Sequence, residues 1–563
     1  MNEIIIVKPD KCVGCNSCVR TCPAPEANIT KMLDDGRFVT TVDPDHCITC
    51  GECVRNCNHG ARDYIDDTEA CMQRMSSDKL IILATPAIKT IYPTRWKGIL
   101  DWFRKKGCLI YDVSLGADIC TWAHLRAVQE KKVGNLITQP CAAIVKYVEI
   151  YQPKLLNNLS PIHSPISCAA VYIRKYLRRS NPIAVLSPCI AKKTEFMETG
   201  LVDFNVTFNK LNEYFDKNGI AIATNSIHDL EYAFDDQQGQ LGAVYPRPGG
   251  LRDNLWMHDP ELNITTSEGV HKVYPELDMY AEMPEFKHPQ VFDVLSCEFG
   301  CNVGPGSGTK QTVFDVMATM REVEKEAKSR RKTSGGMFGR GGEDKLFKKF
   351  DDTLKLSDFM RTYKPTTPTP VPTDQQLEPI YEIMGKHTYE DRHYNCHACG
   401  YKSCREMATA IYRGLNTPDN CVVHAKTVLV ARHSELQQQH ERLAEITNEC
   451  LSLSDKLKAG VDEITTNMET IGASNQATSE RAGVVNNLLK NVITFCNSNS
   501  TMDAGTVQQL VGILETTSKA FGALDDNVTT TKESSEIIQK SVEDIKNLVD
   551  EINATLHKTV QTK

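Results

Sequence analysis

The chain has 563 residues, which at ~100–200 residues per domain allows three to five domains and excludes a single small fold. Its 64 basic and 72 acidic side chains leave a formal charge of −8 with no basic block, which argues against nucleic acid as a partner. Its 22 cysteines point to metal more than to disulfides, because their spacing is strongly patterned and no secretory segment is evident.

The N-terminus carries Glu3, Lys8 and Asp10 around four apolar residues, not a signal-peptide core. No window approaches the ~20 apolar residues of a membrane span, so the expected location is cytoplasmic, with no membrane partner. Residues 1–75 hold nine cysteines between short strand-like runs at Ile4 to Val7 and Arg37 to Val42. Two runs, Cys12-x2-Cys15-x2-Cys18-x3-Cys22-Pro23 and Cys47-x2-Cys50-x2-Cys53-x3-Cys57, repeat the spacing that wraps a cubane iron–sulfur cluster. Three cysteines in a tight loop take one corner each, and the fourth reaches to the other cluster. Zinc is the alternative ligand, which this double arrangement disfavours. Cys71 lies outside both runs and reads as a packed thiol.

From residue 79 the texture changes to apolar strand runs alternating with amphipathic helices, an α/β body extending to 363. Three strand-like runs end in a cysteine: Asn135 to Cys141, Ile183 to Cys189 and Val291 to Cys297. Ligands gather at the carboxyl ends of strands in open α/β sheets, so these thiols are expected to converge. The last run continues through Cys301 to Gly306, adding a fourth thiol and a glycine-rich turn. Residues Lys328 to Gly342 read as a flexible basic surface loop. A proline-rich linker, 364–374, is expected to be extended.

A second cysteine module, 375–438, contains Cys396-His-Ala-Cys399-Gly-Tyr-Lys-Ser-Cys404 and Cys421, with His397 and His424 read as non-ligands. A zinc knuckle is the alternative there. Over 439–563, Ile446, Cys450, Leu453, Leu457, Val461, Ile464, Met468 and Ile471 recur at coiled-coil spacing with one stutter. Ile538, Val542, Ile545, Val549, Ile552 and Leu556 repeat the pattern, and turn formers at 494–505 fold the two helices back on each other. Such a rod is expected to dimerise.

These motifs carry resemblances. The N-terminal runs resemble bacterial two-cluster ferredoxins, which implies Cys12, Cys15, Cys18 and Cys57 on one cluster and Cys47, Cys50, Cys53 and Cys22 on the other. The body is similar to the catalytic domain of iron-only ([FeFe]) hydrogenases: Thr138 to Glu149, Ser187 to Glu195 and Cys297 to Gly306 resemble its three cluster loops. The resemblance implies that Cys141, Cys189, Cys297 and Cys301 hold a cubane. It implies further that Cys301 bridges to a two-iron subcluster bearing CO and cyanide, with Lys192 against it and Glu195 as a second-loop contact. The Cys396 module resembles a small four-cysteine cubane domain found beside corrinoid proteins and sensory hydrogenases. The rod is superficially similar to the coiled coils of chemotaxis receptors, without their kinase-binding tip. In all, four 4Fe-4S clusters are expected.

The departures matter as much. Active hydrogenases place a proton-relaying cysteine where this chain has Pro140, which has neither side-chain proton nor N–H. The glutamates of the proton path are replaced near Ala123 to Arg126, where His124 reads as a surface or packing residue more than a shuttle. Ser187 and Leu295 stand where methionines usually pack the two-iron site, and Phe299 where glycine is usual. These changes resemble the sensory branch of the family. The expectation is therefore a multidomain α/β iron–sulfur protein: ferredoxin-like α+β N-domain, hydrogenase-like body, small 4Fe-4S module and helical coiled coil. It senses hydrogen or redox state, exchanges electrons with a soluble carrier and signals to a downstream protein through a homodimeric rod, with at most slow oxidoreductase turnover. The alternatives are a hydrogenase with a different proton route, and an electron-transfer or assembly protein lacking the two-iron unit.

Overall fold

The computed structural model describes residues 3–130, 134–138, 141–308, 311–334, 345–366, 369–498 and 503–561. It forms two compact units, 1–425 and 426–563.

In the N-terminal segment Ile5–Val7 pairs antiparallel with Arg62–Tyr64, and Asn28–Met32 with Phe38–Val42. The body is built on two parallel sheets. One orders its strands Leu109–Asp112, Ile81–Ala84, Ile183–Ser187 and Phe204–Thr207; the other Ile264–Glu268, Val291–Leu295 and Leu136–Ile137. Ile81–Ala84, Ile183–Ser187 and Val291–Leu295 are buried at every residue, which is why they read as continuous apolar runs instead of alternating ones. Helix Val113–Gln129 is buried over most of its length and packs against Pro165–Val171; Asp112 caps it by accepting from the Ser114 amide at 2.9 Å.

The loop expected from Lys328 is corrected. Helix Val313–Ser334 takes up its first seven residues, because Lys328 pairs with Glu324 one turn earlier at 2.7 Å and Arg330 Nε donates to the Gly239 carbonyl at 3.0 Å. Residues 335–344 lie outside the described residues, as do 367 and 368 of the linker. Residues 364–366 and 369–373 carry neither helix nor strand, and this stretch is pinned: Arg413 donates to the Pro370 carbonyl at 2.7 Å, and His46 Nε2 lies 3.2 Å from Thr369 Oγ1. A capping box at Thr373 then starts helix Asp374–Ile383.

The C-terminal helices are Val422–Ser498 and Ala504–Gln561, about 116 Å and 87 Å long at ~1.5 Å per residue. The first therefore begins inside the span assigned to the cysteine module. The two helices are antiparallel, with Ser479 bonded to Asp525, Asn486 to Ser518, and Lys458 paired with Asp550. Val461, Met468, Val542 and Val549 are buried between them. Ile446, Leu453, Leu457 and Ile464 of the same apolar repeat remain 45–64 % exposed.

Candidate functional site

Cys12, Cys15 and Cys18 occupy the first N-terminal loop, and the short helix Ser17–Arg20 carries the chain out of it to Cys22. Burial and the neighbouring Cys47 push the Cys22 thiol up to about 12. Cys22 is likewise among the groups that raise Cys50 and Cys53 after burial, so it sits with the second loop. Cys57 keeps a thiol below its ordinary value: burial opposes this, but the amides of Arg62, His59 and Ala61 stabilise its thiolate.

Arg62 gave no signal in the sequence, yet it is the centre of this region. The residue is 6 % exposed, and its guanidinium donates through Nη2 to Cys18 Sγ and to Asn28 Oδ1, both at 3.2 Å. Its charge also lowers the Cys53 and Cys57 thiols against the effect of burial. Among the described residues Nη1 has no hydrogen-bond partner.

Cys141 precedes helix Ala142–Tyr151, Cys189 follows strand Ile183–Ser187, and Cys297 and Cys301 follow Val291–Leu295. All four thiols line one cavity of about 90 Å³ together with Lys192. One water needs only ~10–15 Å³ on that measure. The walls include Leu295 and Ser187, while Phe299 is 41 % exposed. Burial raises Cys189 to about 11 and Cys301 to about 12, in each case with a neighbouring thiol adding to it. Gln139 and Pro140 lie outside the described residues.

Lys192 opens helix Lys192–Thr199, and its ammonium is bonded to Glu195 one turn on, both nearly inaccessible. Ser164 and Ser167 each donate a hydroxyl to Glu195 Oε1 at 2.6 Å. Burial alone would raise this carboxyl; the charges of Lys192 and Arg361 and these bonds hold it below its ordinary value. The lysine thus joins the cavity wall while its ammonium is tied to Glu195.

His124 is not a surface residue. It is 2 % exposed on helix Val113–Gln129; Nδ1 donates to the Cys120 carbonyl at 2.8 Å and lies 3.6 Å from Cys120 Sγ, while Nε2 lies 2.9 Å from Ser160 Oγ. The thiols of Cys120 and Cys168 both reach the His163 carbonyl. Cys71 and Cys108 are packed in the core, Cys496 is buried and Cys450 exposed.

In the second module Cys399 is raised to about 11, by burial first and then by Cys421, Cys396 and Cys404. The Asn395 side chain accepts from the Cys404 amide at 2.8 Å, and His397 Nδ1 donates to the Tyr401 carbonyl at 3.2 Å. The module packs on the N-terminal segment. Cys18 and Val19 join its apolar core with Cys399 and Cys421, Asn16 and Asn420 exchange side-chain bonds, and the Thr30 amide donates to the Leu415 carbonyl at 2.8 Å. Gly400 fits here at φ +94°: a Cβ would lie 2.8 Å from that of Val19.

On the opposite side, Cys22 and Cys50 pack on the same apolar core as Cys141 and Cys189. Thr49 and Thr194 share a hydroxyl bond at 2.9 Å, and Arg55 donates to the Val303 carbonyl. The thiol groups thus follow one another through the unit: the Cys396 module, Cys12 to Cys18, Cys22 with Cys47 to Cys53, then the cavity. Thiol sets in apolar surroundings, reached by backbone amides and cations, fit iron–sulfur clusters.

Three family models agree with this. Residues 90–305 match the family model "Iron only hydrogenase large subunit, C-terminal domain", residues 11–61 "4Fe-4S dicluster domain", and residues 393–423 "Putative Fe-S cluster". A search of curated proteins finds no match. Among solved structures, one described for stepwise [FeFe]-hydrogenase H-cluster assembly in HydA is 13% identical, covering 54% of this chain and 100% of its own, at a TM-score of 0.41. A variant of [FeFe]-hydrogenase HydA1 from Chlamydomonas reinhardtii is also 13% identical with the same coverage, at a TM-score of 0.40. Among the described residues no helix is long and apolar enough to cross a membrane. The hydrogenase model contains all four cavity cysteines and the dicluster model both N-terminal runs, and on that footing residues 90–305 belong to the iron-only hydrogenase large-subunit family and residues 11–61 to the 4Fe-4S dicluster domains.

Proposed function

We propose that the chain is a hydrogenase-like redox sensor in which electrons pass along four 4Fe-4S clusters between an outer port at the Cys396 module and the body cavity. The observation that carries this reading is the convergence of Cys141, Cys189, Cys297, Cys301 and Lys192 on one cavity, with the other thiol sets in sequence behind it. Cys141, Cys189, Cys297 and Cys301 would hold a cubane, with Cys301 also holding a two-iron unit bearing CO and cyanide. When bound, that unit supplies reversible cleavage of hydrogen into protons and electrons. The chain's own residues set what happens around it. Lys192 offers a charge-assisted donor bonded to Glu195, and the cavity walls are largely apolar. Pro140 leaves no side-chain proton relay next to Cys141, which favours slow turnover and a sensing role.

The test is infrared spectroscopy after maturation with the hydrogenase accessory proteins, followed by hydrogen uptake. CO and cyanide stretches with slow uptake support the sensor. A spectrum without them removes the two-iron unit, and uptake as fast as in a relay-containing hydrogenase removes the sensing role. Pro140→Cys is expected to raise the rate.

Arg62 tunes the N-terminal clusters. A cluster gains negative charge on reduction, and a buried cation favours that state. Arg62→Met is expected to lower the potential of the cluster held by Cys18 by roughly 60 mV, a decade in a one-electron equilibrium. A redox titration followed by electron paramagnetic resonance reads this directly.

The rod supports a homodimer and a downstream signalling partner as further parts of this reading. Its apolar repeat leaves Ile446, Leu453, Leu457 and Ile464 uncovered within one chain. Sedimentation of the full chain is expected to give a dimer, and Leu453→Lys with Leu457→Lys a monomer.

A further inference from the structure

We infer that helix Val422–Ser498 pairs with the same helix of a second copy, parallel and in register, along the ladder Leu429, Leu436, Leu443, Cys450, Leu457, Ile464 and Ile471. This rests on the dimer reading above and adds the direction and level of the pairing. The rungs stand seven residues apart throughout. Their leucines and isoleucines are 42–65 % exposed, and Cys450 is exposed. A second ladder, also at multiples of seven, begins at Ser454 and is closed: Ser454, Val461, Met468, Ala482 and Cys496 are 3–8 % exposed, with Ser535 of the other helix against the Met468 sulfur. The helix therefore carries two ladders side by side, and a single chain covers one of them. The four-residue step from Leu457 to Val461 is where the apolar repeat crosses from the open ladder to the closed one.

A straight α-helix drifts by ~20° per heptad, so a strict seven-residue ladder kept on one face marks a seam between supercoiled helices. Ile446 and Leu453, 48 % and 64 % exposed, fill the alternate rungs between Leu443 and Leu457. Arg432 and Gln439 take those rungs earlier, so the pairing tightens from Leu443 onward. The second helix repeats the division: Val542 and Val549 are buried, while Ile538, Ile545 and Ile552 are 41–45 % exposed. From Leu429 to Ile471 the seam runs ~63 Å at ~1.5 Å per residue, and a strip one helix diameter wide along it offers roughly 600–750 Å². A stable interface takes ~800 Å² from each partner. A strip this long and this narrow fits another helix with the same repeat, which a second copy supplies.

The direction follows from what each arrangement covers. Beyond Ile471 the open face continues through Leu488, Val492 and Phe495, 41–61 % exposed. Parallel, in-register helices cover these residues together with the ladder. An antiparallel crossing centred on Cys450 sets Leu436 level with Ile464 and leaves Leu488, Val492 and Phe495 beyond the overlap, because the helix starts at Val422. Polar levels favour the same choice. Ser454 Oγ and Asn475 Nδ2 are buried without a hydrogen-bond partner among the described residues. In-register pairing brings each to the level of its own counterpart, whereas a slipped register sets Asn475 against an apolar level, and a polar residue in a seam fixes register in this way.

The two Cys450 thiols face each other in this arrangement, which makes them its reporter. The full chain is treated anaerobically with an aromatic disulfide: one Cys450 thiol exchanges into a mixed disulfide, the second attacks it, and two aromatic thiols leave for one interchain S–S bond. The bond needs Cβ atoms ~3.5–4.5 Å apart, so only facing levels join. Wild type is expected to run as a cross-linked dimer on a non-reducing gel, and Cys450→Ser to lose that band. Leu436→Cys or Leu457→Cys in the Cys450→Ser chain is expected to regain it, while Ser452→Cys, off the ladder, does not. Cys450 also meets itself in a crossing centred on it, so Leu436→Cys decides the direction. A Leu436→Cys chain that joins only when mixed with an Ile464→Cys chain overturns the parallel pairing. A band as strong for Ser452→Cys as for Leu457→Cys overturns the register, as does a sedimenting wild-type dimer that gives no band. A full chain that sediments as a monomer instead overturns the dimer reading itself, and the pairing falls with it.

Discussion

Glu195→Gln destabilises the body by about 3–5 kcal/mol, the cost of leaving one member of a buried ion pair without its partner. Lys192 and Glu195 have side-chain exposures of 7% and 1%, so an ammonium left without its carboxylate stays largely desolvated. Ser164 and Ser167 can still donate to the amide oxygen, so the loss isolates charge and not hydrogen bonding. Calorimetry of the matured chain reads the effect as a lower midpoint for the transition of the body. Replacing both residues, Lys192→Met with Glu195→Leu, recovers most of that stability, because a buried pair exchanged for apolar groups is often neutral or better. The same double variant is expected to lose the CO and cyanide stretches, which separates the lysine's part in the fold from its part at the site.

The pH dependence of this contribution has a definite sign. Glu195 lies below its ordinary value in the folded chain, so the unfolded chain binds the proton more readily. Its stabilisation is complete above the ordinary carboxylate value near 4.5 and disappears as pH falls through the lowered folded value. Acid unfolding of wild type and Glu195→Gln is therefore expected to converge only once pH has fallen through the lowered folded value of Glu195.

The cysteine spacing made the N-terminal segment legible, because a cubane loop is local and its ligands lie three residues apart. The body was legible for a different reason. Strands buried on both faces leave unbroken apolar runs, and each stops at its thiol. What the sequence hid are pairings between distant positions. Arg62 meets Cys18 across 44 residues, His124 meets Ser160 across 36, and Asn16 meets Asn420 across 404. No periodicity marks such pairs. His124 reads as an ordinary helix residue until its helix is seen to be buried all round. A basic glycine-rich stretch likewise reads as a loop, though the ion pair between Lys328 and Glu324 carries the helix to Ser334. The heptads of the rod marked the helices correctly but not which apolar residues face within one chain: Val461 and Met468 do, Leu453 and Leu457 do not.

Gly51→Val is the second large effect, because Gly51 is where the inner N-terminal loop touches the body. It follows Cys50, has φ +78°, and a Cβ there would lie 2.6 Å from Ile190 Cδ1 and 2.8 Å from Pro305 Cβ. Ile190 follows Cys189, and Pro305 belongs to the turn after Cys301. A side chain at this point has to push the cluster loops apart. The left-handed backbone costs a non-glycine residue ~1–2 kcal/mol, and overpacking adds ~1–3 kcal/mol. Electron tunnelling falls steeply with distance, so the larger consequence is kinetic: the N-terminal clusters are expected to stay reduced while the cavity cluster fills slowly. Gly60→Ala is the control, since Gly60 also has positive φ (+64°) but a Cβ there meets nothing within 4 Å. Rapid mixing with freeze-quenched paramagnetic resonance separates the two cases. If Gly51→Val and Gly60→Ala pass electrons inward at the same rate, this contact is not the route. If only Gly51→Val is slow, the junction of the Cys50 loop with Ile190 and Pro305 is the step through which the cavity exchanges electrons with the N-terminal thiol sets.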